Sequence, residues 1–277
     1  MKRFVQCIDS IDLEEIEDKH ILPEASELRY GDEFCFKKCI SSGKIDRAID
    51  LANRHGKSIS FVYPRLNDDE MDRVKQQLQK MNEYGESIYV IANDLGIGQY
   101  IVSCSLNNLK IVLGRQVISV PMRARPAMPS VMGKDNVIAE LADKKLFHLT
   151  NINYKPTLKF LKKMNIYGLE FDYIPETFPL IKKLQKEGIY VYIHKGNVMV
   201  ALTRRCHTQR LCEETENCKL VCKERKFHLY HEVTDELFMD GNAILAAVPQ
   251  NEDEIKDLQK EMFSIVDSHK WMAEYMT

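Results

Sequence analysis

Short runs rich in isoleucine, valine, tyrosine and phenylalanine alternate with helix-patterned segments along the first three quarters of this 277-residue chain. That alternation limits the fold more than any other feature of the sequence. The strand-like runs are residues 3–8, 27–34, 58–63, 87–92, 110–113, 147–149, 168–172 and 190–194. β-Branched and aromatic residues of this kind suit buried strands. Between them, residues 45–55 repeat Ile45, Ala48, Ile49 and Ala52 at the spacing of one helix face. Residues 69–84 carry Met71, Val74, Leu78 and Met81 behind a capping Asn67-Asp68. Residues 154–164 and 176–187 repeat the pattern, and Gly188 stops the second of these. Strand–helix alternation implies a mostly parallel sheet. Eight such strands predict an α/β, TIM-barrel-like (β/α)8 fold, with an open doubly wound sheet as the alternative.

In a parallel barrel, functional groups collect at the carboxyl ends of the strands. Cys35 follows the second run, Asn93-Asp94 the fourth, Arg115 the fifth, and Asn151 and Asn153 the sixth. All are expected at one mouth, and the cysteine-rich segment after the eighth run can reach it. Gly96-Ile97-Gly98 also follows a strand. It lacks the third glycine of a dinucleotide fingerprint, so no nicotinamide cofactor is expected.

From Cys206 onward the pattern changes. Residues 204–225 are charged, dense in cysteine and without an amphipathic period, and a bound metal would explain how they become ordered. Residues 227–233 and 236–239 read as a hairpin, with Asp240-Gly241-Asn242 as a turn. Residues 252–276 read as a helix with Ile255, Leu258, Met262, Ile265 and Val266 on one side. No internal repeat appears, and residues 1–277 are read as a single barrel domain with a C-terminal hairpin and helix.

The formal net charge of -2 supplies no global basic field for nucleic acid. No apolar run approaches the roughly 20 residues that span a bilayer. The opening Met1-Lys2-Arg3-Phe4-Val5 lacks the core of a signal peptide. A cytoplasmic protein without a membrane partner is expected. In a reducing compartment, clustered cysteines serve as metal ligands or redox groups rather than disulfides. Four of the eight cysteines fall within residues 206–222 and two more within 35–39. Cys7 and Cys104 read as buried small hydrophobes.

The central motif is Cys206, eleven residues, Cys218, three residues, Cys222. Thiolates are soft donors that suit zinc or an iron–sulfur cluster. The short gap lets two cysteines approach one centre from a single turn, and the longer loop brings a third from another direction. A cubane needs four ligands. Cys35 and Cys39 are candidates for the fourth, as is Cys212 within the loop. The spacing itself does not separate zinc from a cluster. Arg204, Arg205 and Lys219 would favour thiolates and an anionic cluster, or form an ordinary solvated basic face.

At these residues the chain resembles the collagenase-like peptidase family U-32, and within it the anaerobic ubiquinone-synthesis (UbiV-type) branch. The likeness rests on residues 198–210, which read Val-Met-Val-Ala-Leu-Thr-Arg-Arg-Cys-His-Thr-Gln-Arg, and on 216–222, Glu-Asn-Cys-Lys-Leu-Val-Cys. Upstream, Tyr30-Gly31-Asp32-Glu33-Phe34-Cys35 is similar to the branch's Gly-Glu-x-x-Cys element, and this makes Cys35 the implied fourth ligand. Echoes follow at residues 93–96, 148–154 and 236–242. The resemblance implies a barrel with a [4Fe–4S] cluster on Cys35, Cys206, Cys218 and Cys222. It also implies a paralogous partner subunit, and support of oxygen-independent hydroxylation on a quinone precursor or on RNA bases. The Cys206–Cys218 spacing is one residue shorter than in that branch, and Cys39 and Cys212 are additional.

The expected function is an enzyme, or an enzyme subunit, in such a hydroxylation of a small-molecule substrate. Arg115, His148, Asn151 and Asn153 are the candidate substrate-binding groups, with Arg115 able to clamp a carboxylate. As alternatives, Arg115 is a structural ion-pair residue, His148 a satisfied core histidine, and Asn151 and Asn153 caps of the following helix. An RNA-hydroxylation factor is the second reading, with charge from Arg123, Arg125, Lys155, Lys159, Lys162 and Lys163. A peptidase or a non-catalytic partner comes after. The chain has no His-Glu-x-x-His element, and the adjacent Cys206-His207 point apart as sequence neighbours do.

Overall fold

The computed structural model describes residues 4–8, 25–118, 150–212, 218–223, 227–229, 237–247, 251–260 and 264–267. Seven parallel strands come first: β1 (Phe4–Ile8), β2 (Glu27–Gly31), β3 (Ser58–Tyr63), β4 (Ile88–Ala92), β5 (Leu109–Leu113), β6 (Gly168–Asp172) and β7 (Tyr190–Lys195). Gly196, at φ +101°, then turns the chain out of the barrel. An antiparallel sheet follows, made of β8 (Asn197–Leu202), β9 (Phe227–Leu229), β10 (Leu237–Asp240) and β11 (Ala243–Ala247), in the spatial order β8-β11-β10-β9. The chain then returns to the barrel as β12 (Ser264–Asp267), which lies between β7 and β1 and closes the ring.

Helices α1 (Ile45–Arg54), α2 (Asp68–Asn82) and α3 (Leu95–Ser103) follow β2, β3 and β4. Helix α4 (Lys155–Lys163) precedes β6, and α5 (Phe178–Lys186) joins β6 to β7. A short α6 (His207–Leu211) lies in the excursion, and α7 (Glu252–Lys260) leads into β12. Asn67 opens α2 with a capping box. Its side chain accepts the Glu70 N–H at 2.9 Å, and Glu70 accepts the Asn67 N–H at 2.9 Å.

Strand alternation sorts the core into two layers. Leu28, Tyr30, Phe61, Val90, Ile111, Leu169, Phe171 and Ile193 face outward under the helices. Val5, Val62, Ile91, Val112, Tyr192 and Val266 form a small apolar cluster of their own. The second sheet packs Met199, Phe238, Ala243 and Leu245 against Phe34, just past the carboxyl end of β2.

The structure corrects several expectations. The eighth barrel strand is β12, from the segment expected to continue a helix to residue 276. Helix α7 is followed by Ser264-Ile265-Val266-Asp267 as strand. A barrel strand is buried on both faces and so lacks alternation. The spacing of Ile255, Leu258, Met262 and Ile265 imitates a helix face. The run at 147–149 lies outside the described residues. The 240–242 turn joins β10 to β11, a strand the sequence did not suggest, and β10 pairs with β9 on its other edge. Gly96-Ile97-Gly98 forms the first turn of α3, capped by Asp94, whose carboxylate accepts the Gly96 N–H at 2.7 Å. Cys104 is exposed at the end of α3 rather than buried.

A carboxylate at either central position of β12 has no partner in a closed ring. Val266→Asp and Ile265→Asp should each cost about 3 kcal/mol or more. The urea midpoint measures this, and an unchanged midpoint in either variant would contradict the closing strand.

Candidate functional site

Charge fills the barrel lumen. The Arg29 guanidinium donates to Glu170 Oε1 at 2.5 Å, to Glu27 Oε1 at 3.2 Å and to Ser60 Oγ at 3.2 Å. Strands β2 and β6 face each other across the ring, so the Arg29–Glu170 pair spans it. Ser60 donates to Glu27 Oε1 at 2.6 Å, and the Tyr192 hydroxyl to Glu27 Oε2 at 3.1 Å. His194 Nε2 lies 3.0 Å from Glu170 Oε2, and its Nδ1 is buried without a hydrogen-bond partner among the described residues. Burial would raise the Glu170 pKa, but Arg29 and then His194 outweigh it and hold the carboxyl at about 2. The sequence reading missed this network. Its signal was a charged Glu27-x-Arg29 pair and a lone Glu170 on one face of otherwise apolar runs.

Arg115 sits above this layer, just past β5, and is buried. Its Nε and Nη2 bind the Glu33 carboxylate at 2.9 and 2.5 Å, while Nη1 binds Asp172 at 2.6 Å and the Asn197 carbonyl at 2.9 Å. Burial disfavours the cation, but Glu33 and Asp172 outweigh it and hold its pKa well above the usual arginine value. Every guanidinium nitrogen thus has an internal partner. A substrate carboxylate would have to displace Glu33 or Asp172. Gln116 binds the Glu33 carbonyl through its side chain and Asn93 Oδ1 through its N–H at 3.2 Å. Asn151 donates to the Val117 carbonyl at 2.8 Å and accepts the Thr157 hydroxyl at its own carbonyl. Asn153 shares the same single turn, and its side chain lies outside the described residues, as does His148. Arg115 and Asn151 therefore come to the same mouth, joined to it by internal bonds.

The loop that carries Cys35 meets the second sheet just past the carboxyl end of β2. Asp32 Oδ1 accepts the N–H groups of Phe34 and Cys35, each at 2.7 Å, which fixes the loop after β2. Lys38 folds back with an 8% exposed side chain, its Nζ 3.2 Å from Asp32 and 2.6 Å from Asp240 at the end of β10. The next residue, Gly241, lies against Phe34. A Cβ there would stand 3.3 Å from the Phe34 carbonyl. The Gly241 carbonyl accepts the Cys206 thiol at 3.4 Å and the His207 N–H at 2.9 Å. Cys206 Sγ in turn caps α6 by accepting the Gln209 N–H at 3.4 Å. Cys222 lies within electrostatic reach of Lys38, Asp240 and Cys206. The turn thus holds Cys206 directly and touches Phe34, the residue before Cys35.

Cys39 turns the other way. Its thiol donates toward the backbone carbonyls of Asp32, Cys35 and Val62 at 3.5–3.6 Å. Cys212 ends α6, and Cys218 is half-buried. Burial pushes the Cys35 thiol up to about 12, with Asp32 adding to the shift and Lys38 opposing it. Burial also raises Cys222 to about 11. Both are thiols at neutral pH. The half-buried, all-sulfur donor set suits a soft metal or an iron–sulfur centre. Among the described residues, no group of three or more His, Cys, Asp or Glu side chains is arranged to hold a metal ion.

No described helix is long and apolar enough to cross a membrane. No protein-family model matches the chain, and no curated protein matches it. Among solved structures, the U32 peptidase Mk0906 is similar, with a TM-score of 0.44 and 10% identity, covering 96% of this chain and 92% of that one.

The lumen network predicts an acid limb. The Glu170 carboxyl binds its proton less tightly in the folded chain, at about 2 against an ordinary 4.5. Its stabilisation is therefore complete above about pH 4.5 and lost as pH falls toward 2. Glu170→Gln should cost about 3 kcal/mol at pH 7 and flatten the fall in stability below pH 4.5. Urea unfolding across that pH range measures both.

Proposed function

We propose that Cys35, Cys206, Cys218 and Cys222 hold a [4Fe–4S] cluster at the carboxyl mouth of a complete (β/α)8 barrel. We further propose that the protein serves oxygen-independent hydroxylation of a small-molecule, quinone-precursor-like substrate. In this reading it works in the cytoplasm as one subunit beside a paralogous U-32-type partner. The supporting observation is that Phe34, the neighbour of Cys35, and Cys206, far apart in sequence, both meet Gly241, with Cys222 in electrostatic range of both Lys38 and Cys206. The inward turn of the Cys39 thiol supports Cys35 as the fourth ligand. A cluster bound by all four thiolates would supply one-electron chemistry. Arg115 keeps Glu33 and Asp172 oriented at the mouth, and His194 Nδ1 is available to hold or pass a proton. Substrate would meet this rim together with His148, Asn151 and Asn153.

Oxygen-free purification tests the cofactor. The expected product is brown, with about 4 iron and 4 sulfide per chain. Cys-to-Ser variants at 35, 206, 218 and 222 should lose that iron, while Cys104→Ser should keep it. A colourless protein with stoichiometric zinc would end the iron–sulfur reading.

One observation favours RNA as the substrate class. Helices α4 and α5 carry Lys155, Lys159, Lys162, Lys163, Lys182, Lys183 and Lys186 and no carboxylate within their bounds. Tyr154 and Phe160 are exposed beside them, at 60% and 41%. Phosphates beside aromatic platforms are how single-stranded RNA is held. If this reading is right, RNA binding should weaken steeply between low and physiological salt, and more so after charge reversal at Lys159 and Lys163. Absent or salt-insensitive binding would leave the small-molecule reading alone.

A further inference from the structure

We propose that Lys38 is a positioning residue, clamped between Asp32 and Asp240, that latches the Cys35 loop to the turn beside Cys206 and so presets the sulfurs for one centre. The latch stands on the ion pairs themselves, and its service to a cluster rests on the iron–sulfur reading above.

Lysine is rarely buried unless paired, because its ammonium is strongly hydrated. Lys38 is buried by two carboxylates from different parts of the fold. Asp32 also receives the Cys35 N–H, so the lysine charge is tied through one side chain to the Cys35 backbone. Asp240 precedes the glycine whose carbonyl holds the Cys206 thiol. The path Cys35–Asp32–Lys38–Asp240–Gly241–Cys206 is therefore continuous, with one link through each polar group. The apolar contact of Phe34 with Met199 and Phe238 brings the two segments together but sets no register. The ion pairs do, because they have direction. Burial works against the ammonium, yet the two aspartates outweigh it and hold its pKa well above the usual lysine value. Without the lysine, Asp32 and Asp240 would face each other beside two thiols. Their repulsion would drive the loop off the turn.

The test uses the full chain, with metal and without. Lys38→Met keeps the apolar stem and removes the charge. In the metal-free protein, maleimide labelling of Cys35 and Cys206 should quicken at least about tenfold, which corresponds to about 1.4 kcal/mol of opening. The exposed Cys104 should react as before. Asp240→Asn, at a position 23% exposed, should act in the same direction and decides the matter if the lysine variant does not fold. Lys37→Met, at the exposed neighbour, should change nothing. In reconstituted protein, Lys38→Met should surrender iron to a chelator about tenfold faster. A folded Lys38→Met protein labelled at the unaltered rate overturns the latch, as does equal opening in Lys37→Met. If the unaltered chain takes up no iron, the cluster reading falls, and the labelling rates still judge the latch.

Discussion

Arg29 crosses the barrel, and the ring closes around that crossing. Eight strands leave an interior just wide enough for side chains to fill. Here Arg29 reaches from β2 to Glu170 on the opposite strand at 2.5 Å, with Glu27, Ser60, Tyr192 and His194 completing the shell. A buried ion pair is a weak source of net stability, since desolvation offsets most of the attraction. It is a strong source of geometry, because a guanidinium accepts carboxylates only along its N–H directions. Any slip of β2 against β6 or β7 would leave a charge buried without its counter-ion.

The same device recurs up the molecule. Arg29 lies between Glu27 and Glu170, Arg115 between Glu33 and Asp172, and Lys38 between Asp32 and Asp240. In each case one carboxylate comes from β2 or its loop and the other from a distant element. The β2 segment thus anchors the lumen, the mouth and the second sheet in turn. Each clamp also carries one more carboxylate than cation.

Much of this architecture was legible in the sequence, for identifiable reasons. Ser58–Tyr63 and Gly168–Asp172 were read to the residue, the first because its β-branched and aromatic run ends sharply at Pro64. Helix α2 announced itself through Asn67. Strand β12 did not, because a doubly buried strand and a helix face share the spacing of Ile255, Leu258 and Ile265. Nor did the lumen charges, since partners 141 residues apart leave no local pattern. Spacing left Cys35, Cys39 and Cys212 open as a fourth ligand. The fold turns the Cys39 thiol onto backbone carbonyls and sets Phe34, the residue before Cys35, against Gly241. Arg115 was foreseen at the mouth, but its commitment to Glu33 and Asp172 depended on long-range contacts the sequence does not display.

The pairing of Phe4 with Ile265 has a consequence for how the molecule is made. On the ribosome, β1 emerges well before β12 and must wait for this neighbour until every strand between them has been translated. Until then the growing sheet has two open edges, and Val5 lacks the cover that Val266 later gives it. Closure carries only a modest entropic cost, because the cost of joining distant segments rises with the logarithm of the intervening length. Its burden is time: a nascent chain with unpaired strand edges is a natural client for a chaperone.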